Sequence, residues 1–274
     1  MVKSFENAVQ DLLTERAINF IVGLLGAVAV FLGVLPIKWP LDEVPTVLVS
    51  VGTSLIASAI VAYLTSIYMF KRRKQKEISE TWGLESIIDS RAQMNGKVNE
   101  QLKEVTDTVD IIAYGLKSLR ESRSAIIRDR LLHGLKIRII TVDPTAKLLL
   151  QRDIDENKQP GSTAESIKQL CVWANRLNQE ASAGGSIKIW FIETLPTEVY
   201  FRVDDHLYVG PYQIGRESQQ SITMEYRDNG KRNGMGFKYY QNYFEGIIED
   251  VKEVNLGEYV KTLEENSSNG TETD

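Results

Sequence analysis

The chain has 274 residues, 25% of them charged, and a net charge of −5. That balance excludes a global basic field for nucleic acid. The single cysteine, Cys171, excludes an intrachain disulfide, and two distant histidines, His133 and His206, argue against a zinc site.

Residues 1–16 set Phe5, Val9, Leu12 and Leu13 among charged neighbours. They read either as a short interfacial helix or as a polar start to the helix of the first apolar run. Two uncharged apolar runs come next, Ala17–Ile37 and Thr46–Phe70. A helix needs about 20 apolar residues to cross a hydrocarbon core, so both are long enough, and the expectation is a two-helix membrane hairpin. The first run begins at residue 17 without a basic leader and a second span comes after it, unlike a signal peptide. The loop at 38–45 holds one basic residue, Lys38, whereas Lys71-Arg72-Arg73-Lys74-Gln75-Lys76 holds five. Lysine and arginine bias then puts both termini in the cytoplasm. Trp39 reads as an interface anchor, and Pro36, Pro40 and Pro45 as breakers at the turn.

In the second run Ser50, Ser54, Ser58, Ala62 and Ser66 recur every four residues and share one stripe. Gly23, Gly26, Ala27 and Gly33 make a small-residue patch in the first. Small residues let helices approach closely in lipid. The stripe therefore reads either as packing inside the hairpin or as a self-association face.

Residues 77–108 form a connector in which Met94, Val98, Leu102, Val105 and Val109 keep helical spacing. From 109 strands and helices alternate. Val109–Tyr114 is a strand, Ser118–Leu132 a helix and Lys136–Val142 a strand. Ser162–Glu180 is a helix capped by Ser162 or Thr163. Four strand-like runs come after it, Ile187–Glu193, Glu198–Val203, His206–Val209 and Ser221–Tyr226, then a closing helix, Met235–Val251. Early crossovers and late hairpins give an α/β domain on a mixed sheet. The expected organisation is an N-terminal segment 1–16, a hairpin 17–70, a basic anchor and helical connector 71–108, a cytosolic domain 109–260 and a disordered tail 261–274.

Val109–Tyr114-Gly115-Leu116, the strand from Gly134 to Ile140, Asp143-Pro144 and Phe201–Pro211 together resemble a phospholipase D-like domain over about residues 85–253. Active members carry His-x-Lys-x4-Asp. With Asp204 as the aspartate, the histidine and lysine positions hold Thr197 and Val199; with Asp205, they hold Glu198 and Tyr200. The nucleophilic imidazole and the cationic clamp are both missing, so the expectation is a domain without this enzymatic activity, metal or cofactor.

Such a fold still implies a phosphate-binding pocket where the 114–118 turn, the 141–145 turn and the 200–216 hairpin converge. The candidate ligand contacts are Tyr114, Lys117, Ser118, Arg202, Asp204, His206, Tyr212 and Arg216. Arginine supplies bidentate phosphate contact and tyrosine a stacking face. Against this, Arg202 reads equally as a partner of Asp204 or Glu225, Tyr212 as a core aromatic, His206 as a hairpin residue and Asp204-Asp205 as a turn pair. Lys117, Arg216 and the Lys231-Arg232 pair also read as solvated charges.

A membrane hairpin joined to a degenerate phospholipase D-like domain is similar to the membrane effectors of bacterial anti-phage signalling. That resemblance implies an inner-membrane homo-oligomer, in contact with the lipid bilayer, controlled by a cyclic nucleotide from a nucleotide synthase encoded nearby. The alternative is a membrane-anchored phosphodiesterase or nuclease with atypical catalytic residues, Arg202, Asp204 and His206. A third reading is a membrane scaffold without a ligand.

Overall fold

The computed structural model describes residues 2–36, 38, 40, 42–181, 184–213, 218–228, 230 and 234–269; of residues 2–16, 70, 73, 74, 77, 78 and 267–269 it describes the backbone alone. Trp39, Arg216, Lys231, Arg232, the tail 270–274 and the side-chain pattern of 1–16 lie outside what is described. The chain divides into two compact units, Met1–Ile78 and Ser79–Asp274.

The first unit is a helical hairpin. Helix α1 spans Val2–Val34 without a break, so residues 2–16 continue the first span. Helix α2 spans Val44–Trp82. Their windows Ala17–Val34 and Val44–Met69 are long and apolar enough to cross a membrane. Pro45 lies inside the first turn of α2 and does not break it, because a first-turn residue has no intrahelical acceptor for an N–H. The helices meet through glycine. A methyl group added at Gly26 would lie 2.7 Å from the Gly52 carbonyl oxygen, and one at Gly52 would lie 2.6 Å from that of Gly26.

Helix α2 ends at Gly83, whose positive φ of 69° turns the chain and whose N–H bonds the Ser79 oxygen at 2.9 Å. The second unit holds a seven-stranded sheet among the described residues. Its strands are β1 (Leu84–Ile88), β2 (Thr108–Ile112), β3 (Lys136–Val142), β4 (Ser186–Ile192), β5 (Glu198–Val203), β6 (His206–Pro211) and β7 (Thr223–Arg227). The order is β1-β7-β6-β5-β2-β3-β4. Strands β2, β3 and β4 are parallel, and β5, β6, β7 and β1 add antiparallel pairings. This is an α/β domain on a mixed sheet, as the alternation implied.

Period-two alternation sorts the strands into two faces. Val109, Ile111, Ile137, Ile139, Val199 and Phe201 belong to one apolar cluster. It is shared with α3 (Arg91–Glu104), α5 (Ser124–Leu132) and α7 (Ser162–Glu180) through Met94, Val98, Leu102, Ile127, Leu131, Leu170 and Trp173. Ile112, Ile140, Tyr200 and Leu207 form the opposite cluster with Phe237 and Phe244 of α8 (Met235–Asp250).

Several local expectations change. The connector contains a sheet strand, β1, and a core helix, α3. The helix expected over Ser118–Leu132 is two pieces, α4 (Lys117–Ser122) and α5, parted at Arg123. An unforeseen helix, α6 (Leu149–Asp155), precedes α7. Neither Ser162 nor Thr163 caps α7: Gly161 is its N-cap, and the buried Asp153 carboxylate accepts from the N–H groups of Gly161 (2.7 Å) and Thr163 (3.0 Å). Residues 261–269 of the tail expected to be disordered belong instead to a helix, α9 (Leu256–Asn269), whose first turns are anchored by the buried Leu256 and Val260, spaced i, i+4.

Candidate functional site

The parallel strand β2 ends in a sharp turn. Leu116 adopts a left-handed backbone, φ 47°, before α4 begins. Beside this turn, on the α3–α7 face of the sheet, lies a cavity of about 930 Å³, within the range of small-molecule sites. Its floor is Val199 and Phe201, its sides are α3, the 113–123 segment and the Lys158–Ser166 segment, and Tyr212, Ser218 and Gln219 line it too. Among the described lining residues five are basic (Arg91, Lys117, Arg120, Arg123, Lys158) and three acidic (Glu121, Glu156, Glu165).

Stacked cations and rings surround the two tyrosines that line the cavity. Tyr114 and Tyr212 lie 5.0 Å apart between ring centres. The Arg152 guanidinium lies over both, at 5.1 and 4.7 Å, and the Arg91 guanidinium over Tyr212 at 4.8 Å. Tyr212 therefore already carries two guanidinium groups, which revises its expected role as an open stacking face. Burial pushes the Tyr114 and Tyr212 phenols above their ordinary range, so both stay protonated and neutral. Arg152 pairs with Glu156, which also takes Lys158 and, at 2.5 Å, the Ser218 hydroxyl. Despite its burial, these partners hold the Glu156 carboxyl below its usual range. Arg120 donates to the Gly115 oxygen at 3.0 Å and the Ser166 hydroxyl at 3.2 Å, tying α4 to α7.

Four of the expected ligand contacts, Tyr114, Lys117, Ser118 and Tyr212, meet at this cavity. Three others do not. Arg202 alternates with Phe201 and so points to the α8 face, where Nη1 meets the buried Asp110 at 3.1 Å and the guanidinium lies over Phe237. Asp204 adopts φ 47° and accepts from the N–H groups of Thr106 (2.9 Å), Asp107 (3.1 Å) and Thr108 (2.9 Å), which fixes the entry to β2. His206 begins β6 with Nδ1 3.3 Å from Glu225. Because β5 is antiparallel to β2, residues 202–206 stand at the opposite end of the sheet from Tyr114. Arg216 lies outside the described residues.

Arg91 and Arg123 were missed by sequence reading. Arg91 sat in the presumed connector, and Arg123 in a presumed unbroken helix. The break of that helix at Arg123 carried no proline or glycine to announce it.

In the hairpin, Ser50, Ser54, Ser58 and Ala62 are all exposed and Ser66 is half-buried. The face of α2 against α1 is formed by Leu48, Val49, Gly52, Leu55, Ile56 and Ala59. Most of the serine stripe is thus not what packs the hairpin together. Ser54 bonds the Ser50 carbonyl at 2.9 Å.

No protein-family model matches the chain, and no curated protein matches it. Among solved structures, it is similar to TrmBL2, an archaeal chromatin protein described as showing a novel mode of DNA binding. Identity is 12%, the TM-score is 0.39, and 78% of this chain and 72% of that one are covered. It is also similar to a phosphatidylserine synthase of Haemophilus influenzae, with 10% identity and a TM-score of 0.43, covering 79% of this chain and 52% of that one. The chain thus spans about half the length of that synthase.

Proposed function

We propose that this chain is a membrane effector of bacterial anti-phage defence, in which a cyclic nucleotide bound by the cytosolic domain controls how the hairpins associate in the inner membrane. The observation that carries this reading is the cavity: it has the volume of a small-molecule site, more cations than anions among its described lining residues, and four of the sequence-expected contacts at its wall. Two membrane-length helices supply the acting part. The exposed serine stripe suits contact between copies, since serines in lipid favour a neighbouring helix. By linkage, control requires only that the nucleotide bind the associated and dispersed states with different affinity. The basic cluster after the second span supports a cytoplasmic side for both termini.

A binding role also fits better than catalysis. Val199, one of the expected lysine positions, lines the cavity without a cationic group. Arg202, Asp204 and His206, which the enzymatic alternative requires together, each serve another contact away from it.

The test is a calorimetric screen of the full chain in detergent against cyclic mono- and dinucleotides, paired with membrane-potential measurements on expressing cells. Binding below about 100 μM, together with nucleotide-dependent depolarisation, supports the reading, and the direction of the change gives the sign of control. A chain that binds none of them and leaves the potential unchanged overturns it.

A further inference from the structure

Six charged side chains are buried in the soluble domain among the described residues. Four are met by an opposite charge or, for Asp153, by hydrogen bonds to both carboxylate oxygens. Asp110 has Arg138 and Arg202; Arg152 has Glu156; Asp153 has the turn at Gly161–Thr163; Glu225 has Lys97, Ser86 and Tyr208. The remaining two are Arg91, 7% exposed, and Arg123, 4% exposed, and both line the cavity. Arg123 gives Nη2 to the backbone and side-chain oxygens of Asn95, at 3.2 and 3.0 Å, both of them neutral. Arg91 has Nε and Nη2 buried with no hydrogen-bond partner among the described residues. The carboxylate that supports its charge is Glu156, already engaged by Arg152 and Lys158.

A buried charge without its counter-ion costs several kcal/mol, and arginine cannot escape by losing its proton. Tyr212 answers part of the Arg91 charge through its ring face and a side-chain hydrogen bond, yet Nε and Nη2 stay without a partner among the described residues. Adjacent Nε and Nη hydrogens are the edge of arginine that grips two oxygens of one phosphate.

We propose that Arg91 and Arg123 form the phosphoryl subsite of the cavity, with the unpartnered Nε–Nη2 edge of Arg91 taking two oxygens of a phosphate or phosphodiester and Arg123 supplying the second positive charge. The subsite rests on the reading of the cavity as a nucleotide site and names the group it grips. Neutral ligands gain nothing there. Arg91 opens α3, nine residues beyond the end of α2 at Trp82, with β1 between the two helices.

The experiment titrates the full chain in detergent with inorganic phosphate, 3′,5′-cyclic AMP and cyclic di-AMP. The variants are Arg91→Lys, which keeps the charge without the fork, Arg91→Gln, and Lys188→Ala on β4 as the distant control. Thermal melting checks folding, and Arg123→Lys replaces Arg91→Lys if the latter does not fold. The expected result is binding that weakens about tenfold or more in Arg91→Lys and further in Arg91→Gln, with the control within about twofold. A nucleotide that binds Arg91→Lys as tightly as the parent overturns the subsite and leaves the nucleotide reading standing. Phosphate binding that depends on Arg91, with no nucleotide binding, keeps the subsite and overturns the nucleotide reading. No binding by the parent chain overturns both.

Discussion

Nη1 of Arg202 lies 3.1 Å from the carboxylate of Asp110, and Arg138 grips the same carboxylate through Nε at 2.6 Å and Nη2 at 2.7 Å. Asp110 is fully buried, so two cations on neighbouring strands answer one carboxylate. Glu245 of α8 closes the network through both Arg138 Nη atoms at 2.8 Å. Together these pairs bind β2, β3, β5 and α8. Asp110→Ala leaves two guanidinium groups facing a void, with an expected loss of about 3–5 kcal/mol. Urea unfolding of the full chain in detergent, monitored by tryptophan fluorescence, measures it. An unchanged midpoint contradicts a structural role for Arg202.

The hairpin register is checked by crosslinking. A Cβ at Gly23 would stand 3.5 Å from Cβ of Ala59, at the short end of the span of a disulfide. The double variant Gly23→Cys, Ala59→Cys is expected to form an intrachain bond under mild oxidant, read as loss of maleimide labelling. Adding Gly52→Val drives a branched side chain toward the Gly26 carbonyl oxygen and should abolish that bond. Full labelling of the double variant after oxidation would show a different register.

Glu225 sets a pH dependence. His206 first, then Lys97, Ser86 and Tyr208, hold its carboxyl well below the usual carboxylate range. Its folded value is depressed, so its contribution is fully present above the unfolded value of about 4.5. It is lost as pH falls through the folded value. Glu225→Gln should therefore melt at lower temperature than the parent at pH 7, and the gap should narrow as the pH drops below that unfolded value. Melting curves between pH 7 and pH 3 report it; a gap that widens in acid refutes the assignment.

Cys171 sits fully buried on α7, and burial pushes its thiol up to about 12. Thiolate is the reactive species. The folded chain at pH 8 should resist iodoacetamide, and the chain in guanidinium should take one equivalent. Rapid labelling of the folded chain would show that α7 opens readily.

Much of this protein was legible in local pattern. Charge-free runs of membrane length need no partner to be recognised, since a span is defined by composition and length. The strands at Lys136–Val142 and Glu198–Val203 declared themselves by β-branched and aromatic residues, and the long helix at Ser162–Glu180 by its apolar spacing. The strand at Leu84–Ile88 was hidden because its edge position leaves Glu85 and Ile87 exposed, a pattern that also suits a connector. The helix at Leu256–Asn269 was hidden behind a polar composition relieved only by a narrow apolar stripe.

Sequence by itself determined the two membrane-length helices, the α/β class and the lack of the expected histidine and lysine at 197–200. Only the tertiary structure decided where chemistry can gather. Because β5 runs antiparallel to β2, Tyr114 shares an end of the sheet with Glu198 and Val199, and not with Arg202, Asp204 or His206. Because side chains alternate along a strand, Phe201 lines the cavity while Arg202 is turned to the opposite face. Pairing direction and face are set by contacts between residues far apart in the chain, which no local spacing records. The same long-range packing leaves Arg91 and Arg123 buried in the lining of one cavity.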